Sequence, residues 1–477
     1  MHRSLAASLI AAIAAGIAAG PAVAADEVAL PADQRTALSL SIYADGWALI
    51  WDRRAATLVD GANRVAFEGV SRQMLPSSAM LEAAPGLRLV DIDYNFALLT
   101  PDALLRRSLG KTVGVVRMHP TTGEETIDKA TVLAVSQGVV LKIGDRVETS
   151  PPGRLVFYDL PADLRAQPTM LATVASDGGG RKELGLGYLT RGLGWAADYV
   201  AQWDTASSRI DLTGRATLTN TTGVDFPGAD VALIAGSVRR EEQPVPAAPP
   251  EAMGRMRAAP MMADAKAMPV RETFADLHLY RVPGKVGLAD QQTRQVTLLA
   301  ANGLPVTRDY VSEAGIAAFR QGGEPQPTHP EVRLRFAAGQ PGSGATPLPA
   351  GIIRVYATSG EGPPRLVGED RIDHTPAGAP VTVSPGEAFD VTVLRRQTDF
   401  KTAGLPENVS ESAWTIEVRN ASGKAATVRI VEIAPGDWTV LSETAPHEKQ
   451  TVDRLVWQVT APPNGSAQLS YRVRVQL

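Results

Sequence analysis

The stretch from Gly187 to Gly236 constrains the fold more than any other part of the chain, because aromatic, Gly and Asn residues are set there among alternating β-branched positions. It contains Gly187-Tyr188-Leu189-Thr190, Gly194-Trp195-Ala196-Ala197-Asp198-Tyr199-Val200, the run Leu212 to Gly223, and Val231-Ala232-Leu233-Ile234-Ala235-Gly236. Alternation with a period of two sends one set of side chains to each face of a sheet, so the segment reads as successive strands. It holds no catalytic motif. Aromatic residues make up only 5% of the chain while Val, Thr, Leu, Gly and Pro are abundant, which favours short strands and turns over long helices.

The same pattern recurs on both sides. Leu38, Leu40 and Ile42 alternate up to Asp45-Gly46, and the apolar run Trp47 to Trp51 follows, which predicts a hairpin. Asp60-Gly61 separates Ala56-Thr57-Leu58 from Val65-Ala66-Phe67 in the same way. One short helix is marked by Thr100 as cap, Pro101 in the first position, Asp102 at the positive end and Gly110 as terminator. Four short strands then run from Val113 to Glu148 with tight turns between them, predicting a small closed β-barrel whose edges are hidden. That module lacks a basic stripe with interleaved aromatics, so its reading is structural. From Glu331 to Leu477 about seven alternating segments separated by Gly and Pro match an immunoglobulin-like sandwich.

At 477 residues the chain exceeds one ordinary core. The expected fold class is all-β: multi-domain β-sandwiches with a small β-barrel-like module and a C-terminal immunoglobulin-like sandwich. The expected divisions are a leader at 1–24, an N-terminal β-domain at 25–110, the barrel-like module at 111–150, a central β-domain at 151–325 and the C-terminal sandwich at 326–477. A Pro/Ala/Met-rich excursion at 241–271 interrupts the central domain and reads as a disordered loop.

Met1-His2-Arg3, the apolar stretch Leu5 to Ala19 and Ala22-Val23-Ala24 have the layout of a cleavable secretory leader, which places the mature protein in the periplasm or outside the cell. No later stretch reaches the roughly 20 apolar residues of a spanning helix, so no transmembrane span is expected after cleavage. There is no cysteine, which rules out disulfides, cysteine-linked lipid and thiolate metal sites. The formal charge of −4 becomes −5 when Arg3 leaves with the leader, and this balance argues against nucleic acid as a partner.

The candidate ligand-binding residues are Trp195, Asp198 and Tyr199, since ring faces beside a carboxylate suit sugars or cations. On a strand, however, Trp195 and Tyr199 share a face that Asp198 does not, and the competing reading is a pair of core aromatics with locally satisfied polar tips. Glu369, Asp370, Asp373 and His374 have the chemistry to hold a divalent cation, but with no second ligand group close in sequence a solvated acidic turn before Pro376 is the preferred reading, and no metal or cofactor is assigned. Met253, Met256, Met261, Met262 and Met268 supply soft sulfur suited to Cu(I), against the plainer reading of a variable linker. His447-Glu448 has no second His four residues on, and Ser343 between Gly342 and Gly344 lacks the hydrolase elbow pattern, so no catalytic residue is assigned.

The central blocks, with Leu277-His278-Leu279-Tyr280-Arg281-Val282-Pro283, Gly368 to Pro376 and Gly386-Glu387-Ala388-Phe389-Asp390-Val391, resemble a bacterial family called domain of unknown function forty-one thirty-nine, from roughly Leu38 to the C-terminus. Some of its members carry an N-terminal coiled-coil extension and are described as mucoidy-inhibitor-like; this chain has no such heptad run. The resemblance implies an exported β-rich protein and supplies no catalytic residue. The expected role is therefore binding or scaffolding in the cell envelope through loops and sheet edges, with an envelope protein or glycan as partner. The alternative is a hydrolase acting on envelope carbohydrate or peptide.

Overall fold

A computed structural model describes residues 27–476 except 96, 137, 150–152, 162, 237, 240–269, 275–276, 318, 338–345, 359–361 and 404–407. The leader at 1–24, Ser343 and the five methionines of the 241–271 excursion lie outside the described residues. The chain is all-β, with a single α-helix among the described residues, and it divides into two compact units: 1–38 with 51–188, and 39–50 with 189–477. Both division points of the first hairpin fall inside strands, Arg35–Tyr43 and Trp47–Leu58, and Gly46 takes a positive φ of 82° at the turn, which only Gly adopts freely.

In the first unit, Gly61–Glu68 pairs with Glu27–Leu30 in parallel and with Thr169–Ser176 antiparallel, and Leu87–Asn95 completes a four-stranded sheet. Beneath it lies a buried charge cluster. Asp52 accepts from Arg35 Nε at 2.9 Å and from Arg54 Nη2 at 2.6 Å through one oxygen, and from Arg54 Nε at 3.1 Å through the other. Arg54 Nη1 also donates to the Leu30 and Glu68 carbonyls, so a guanidinium with no exposed surface finds nearly all its partners.

The helix Pro101–Arg107 forms as its cap predicts: Thr100 Oγ1 accepts the Ala103 N–H at 3.1 Å. The module after it departs from expectation. Its strands run Arg146–Thr149, Val140–Ile143, Glu125–Ala134, Thr112–Met118 and Arg154–Val156 in spatial order, an open five-stranded sheet rather than a closed barrel. Closure is not needed to hide its apolar face. Val113, Val115, Ala130, Val132, Leu141 and Ile143 are covered by Leu105 of the helix and by Leu155 and Phe157 of the returning segment.

In the second unit a central sheet runs Arg365–Ile372, Gly351–Thr358, Leu193–Asp204, Arg209–Asn220 and the first part of Gln292–Gly315. Gly351–Thr358 and Arg365–Ile372 come late in sequence yet extend this sheet, because Gly351–Thr358 pairs in parallel with Leu193–Asp204. Phe226–Ala235, Leu277–Arg281 and residues 39–43 form part of a facing layer. The 24-residue strand Gln292–Gly315 then leaves the central sheet: its last part pairs with Glu331–Ala337 and Ala426–Ile433 instead.

That part belongs to the C-terminal sandwich. Its second sheet is four-stranded, in the order Val391–Ala403, Val409–Asn420, Gly465–Gln476 and Asp437–Glu443. Trp414, Trp457, Tyr471, Val428, Ile430 and Val473 fill the space between the sheets. Inside this core Arg395 forms a two-pronged ion pair with Glu432, at 2.7 and 2.5 Å, and its guanidinium stacks 3.6 Å from the Trp414 ring centre.

The same turn carries the chain from one sheet to another in each half of the second unit. Asn220 Oδ1 accepts from the Thr222 amide and hydroxyl while its Nδ2 donates to the Val224 and Leu288 carbonyls. Asn420 repeats the arrangement with Ser422, Lys424 and Ala461. Both side chains are buried, so removing either strands several backbone groups. Asn420→Ala is expected to lower stability by about 1–3 kcal/mol in urea unfolding, because the orphaned carbonyls keep their desolvation cost.

Two carboxylates make the C-terminal sandwich acid-sensitive. The Arg472 hydrogen bond, at 2.8 Å, holds Asp399 below the usual carboxylate range. Burial pushes Glu443 up, but hydrogen bonds from His447 and Trp457, each at 2.9 Å, outweigh it and leave its pKa lowered. Depressed folded-state values mean that both groups stabilise the fold above the unfolded carboxylate value of about 4 and lose that contribution as pH falls further. The thermal midpoint should therefore drop between about pH 5 and 3, and Asp399→Asn should flatten that part of the profile.

Candidate functional site

The strand Leu193–Asp204 places the sequence-derived candidates on two faces. Trp195 and Tyr199 point into the core, where Trp195 Nε1 donates to the Ile234 carbonyl at 3.2 Å and the Tyr199 hydroxyl to the Pro349 carbonyl at 2.7 Å. Burial pushes the Tyr199 phenol far above its ordinary value. Asp198 lies half-buried on the opposite face, accepting from Thr217 Oγ1 at 2.6 Å and facing Arg354 Nη1 at 3.4 Å. The three do not converge on one surface.

The same period of two, carried past Ala201, brings out a third aromatic. Trp203 is only half-buried and stands just before the Asp204 turn, where Ser207 Oγ and the Ala206 amide hold the Asp204 carboxylate below its ordinary pKa. Trp203, Arg308, Tyr310, Glu387, Phe389 and Asp390 line a cleft of about 240 Å³. The Arg308 guanidinium lies 5.0 Å from the Tyr310 ring centre and 6.0 Å from that of Trp203.

The loop carrying Phe389 is pinned on each side. The Ala388 amide donates to the Pro330 carbonyl at 2.9 Å, His329 Nδ1 donates to the Ala388 carbonyl at 2.7 Å, and the Ala421 amide donates to the Asp390 carbonyl at 2.8 Å. Between these anchors Phe389 is 90% exposed, and the next strand begins only at Val391. A large apolar side chain held in water by a fixed backbone is informative where scattered small exposures are not.

Two separated sequence blocks meet here. Gly368 packs so closely on residue 385 that a Cβ would stand 1.8 Å from the Pro385 carbonyl oxygen, which leaves room only for Gly. Asp370 Oδ2 accepts the Ser384 amide at 2.7 Å beside it. Val367, next to Gly368, lines the cleft, and Leu366 and Val367 are both exposed.

The acidic group at 369–374 is dispersed among other partners. Glu369 faces Arg354 at 3.3 Å, Asp370 caps the Ser384 amide, and His374 Nδ1 accepts the Ala350 amide at 3.1 Å. Among the described residues no group of three or more His, Asp or Glu side chains is placed to hold a metal ion. His447 packs between Trp438 and Trp457, with ring centres 5.5 and 5.7 Å away, and pairs with Glu443. Among the described residues no helix is long and apolar enough to cross a membrane.

Comparison with known proteins agrees with the sequence blocks and narrows their extent. No curated protein matches the chain. A family model described as domain of unknown function (DUF4139) matches residues 184–477, a region that begins well after Leu38 and includes every residue named for the cleft. With more than half of its length matched, the chain belongs to the DUF4139 family.

Proposed function

We propose that this protein is exported to the cell envelope and acts there by binding, with the cleft around Trp203, Arg308, Tyr310 and Phe389 as its recognition surface. The leader-like start, Met1-His2-Arg3 followed by an apolar stretch and Ala22-Val23-Ala24, supports export to the periplasm or beyond. The observation that carries the binding reading is Phe389: 90% exposed, on an anchored loop, at a cleft whose other walls are aromatic, cationic and acidic. Apolar anchors ringed by polar groups are the usual composition of recognition surfaces on rigid sandwiches.

Phe389→Ser combined with Trp203→Ala tests this. The Phe389 change alone should leave unfolding stability within about 0.5 kcal/mol, since an exposed side chain contributes little to folding. The mature protein, immobilised and exposed to solubilised envelope, is expected to retain a component that the double variant loses. Equal retention by both forms would count against the cleft.

A further inference from the structure

We propose that Arg308, Arg335 and Arg429 form an anion subsite beside the aromatic cleft, and that the occupant of the two together is an acidic polypeptide segment carrying an apolar anchor side chain. This rests on the cleft being the recognition surface. A second cavity, of about 370 Å³, adjoins the first and shares Arg308 and Tyr310 with it. Arg335, Arg429 and Asp309 also line it. Asp309 lies 3.4 Å from Arg335, which neutralises one of the three guanidiniums. Neither Arg308 nor Arg429 has a carboxylate partner among the described residues, so the cavity keeps a surplus of two positive charges. Its volume holds several waters' worth of space, at about 30 Å³ each, enough for a carboxylate-bearing side chain. Guanidiniums on a rigid strand framework present planar donor pairs that match a carboxylate.

The neighbouring cleft favours a polypeptide over a sugar chain. Phe389 and Val367 expose apolar surface in it, with Leu366 beside Val367, while the exposed Glu387 and Asp390 form its acidic side. The ring faces that a sugar would stack on, those of Trp203 and Tyr310, are already overlaid by Arg308. An apolar side chain against Phe389 fits the cleft, and its acidic neighbours, directed to the arginines and away from Glu387 and Asp390, fit the second cavity.

The test uses the mature chain and dye-labelled probes read by fluorescence anisotropy: a short peptide of Glu and Ser with one central Leu, its Gln-for-Glu counterpart, and an oligogalacturonate. The Glu peptide should bind, should weaken as salt is raised, and should bind about tenfold more weakly to Arg429→Gln. The Gln peptide should lose a similar factor on the unaltered protein. If the Gln peptide binds as tightly as the Glu peptide and Phe389→Ser weakens both, the cleft stands and the arginine subsite falls. Preference for the oligogalacturonate overturns the polypeptide assignment. No binding by any probe overturns the subsite and counts against the cleft as well.

Discussion

Asp52→Ala should destabilise the protein by about 3–5 kcal/mol, the largest loss expected from any single side chain in the first unit. The substitution removes the carboxylate held between Arg35 and Arg54 and leaves both guanidiniums in place. Arg54 has no exposed surface and Arg35 keeps 8% of its side chain in water, so neither can be resolvated without opening the sheet. Arginine cannot shed its proton at any workable pH, and the penalty should therefore be independent of pH between about 5 and 9. Replacing Arg54 by Met together with Asp52→Ala should recover part of the loss, because packed apolar groups carry no desolvation debt. Urea unfolding of the full chain measures both. A loss below about 1 kcal/mol for Asp52→Ala would mean that water reaches the cluster.

Arg395→Met in the C-terminal sandwich should cost a similar amount, about 3–5 kcal/mol at neutral pH, but with a different pH signature. Glu432 is fully buried, and burial already pushes its carboxyl above the ordinary value against the pull of Arg395 and Tyr471. With Arg395 gone only the weaker pull of Tyr471 remains, and the carboxyl rises further. A folded-state pKa above the unfolded one means that the fold is favoured when the group is protonated, so the penalty should shrink as pH falls toward that raised value. The variant also loses the cation stacked on Trp414, a contribution that protonation does not restore. Parallel unfolding at neutral and mildly acidic pH separates the two effects. A penalty that stays constant with pH would show Glu432 to be satisfied by other partners.

The difference between these two ion pairs was not legible in the sequence, since neither Asp52 nor Glu432 stands in a pattern that marks a buried charge. Local features were legible. Asp45-Gly46 closes the expected hairpin and Thr100 caps the one described α-helix, because each depends on neighbours within a few residues, whereas Asp60-Gly61 has its positive φ at Gly but no hairpin: Trp47–Leu58 and Gly61–Glu68 lie in different sheets. Alternation also assigned Trp195 and Tyr199 to one face and Asp198 to the other. What failed were features decided by distant chain. The five-stranded module stays open because Leu105 and Phe157, which lie outside its strands, cover its apolar face. Gly351–Thr358 joins the central sheet through a parallel pairing that no local pattern announces.

The cleft was hidden for the same reason. Its walls come from Trp203, from Arg308 and Tyr310, from residues 385–390, and from Val332, Val367 and Ser422, separate segments of the chain that share no motif. Trp203 had a signal, the continuation of the Trp195 and Tyr199 alternation to the strand's exposed end. Phe389 had a weaker one: a large apolar residue between Ala388 and Asp390, two positions after Gly386-Glu387. Arg308 had none, because its meaning comes from the rings it overlies.

Phe389→p-benzoylphenylalanine, installed in the full-length protein and irradiated in living cells, tests the central claim most directly. An envelope partner seated in the cleft must lie against that side chain, so the account predicts a discrete adduct at position 389. It should disappear with Trp203→Ala and be absent when the same probe replaces Val452, which is 78% exposed and not among the residues lining the cleft. Adducts of equal yield at positions 389 and 452, or none at 389 in protein recovered from the envelope, would contradict it.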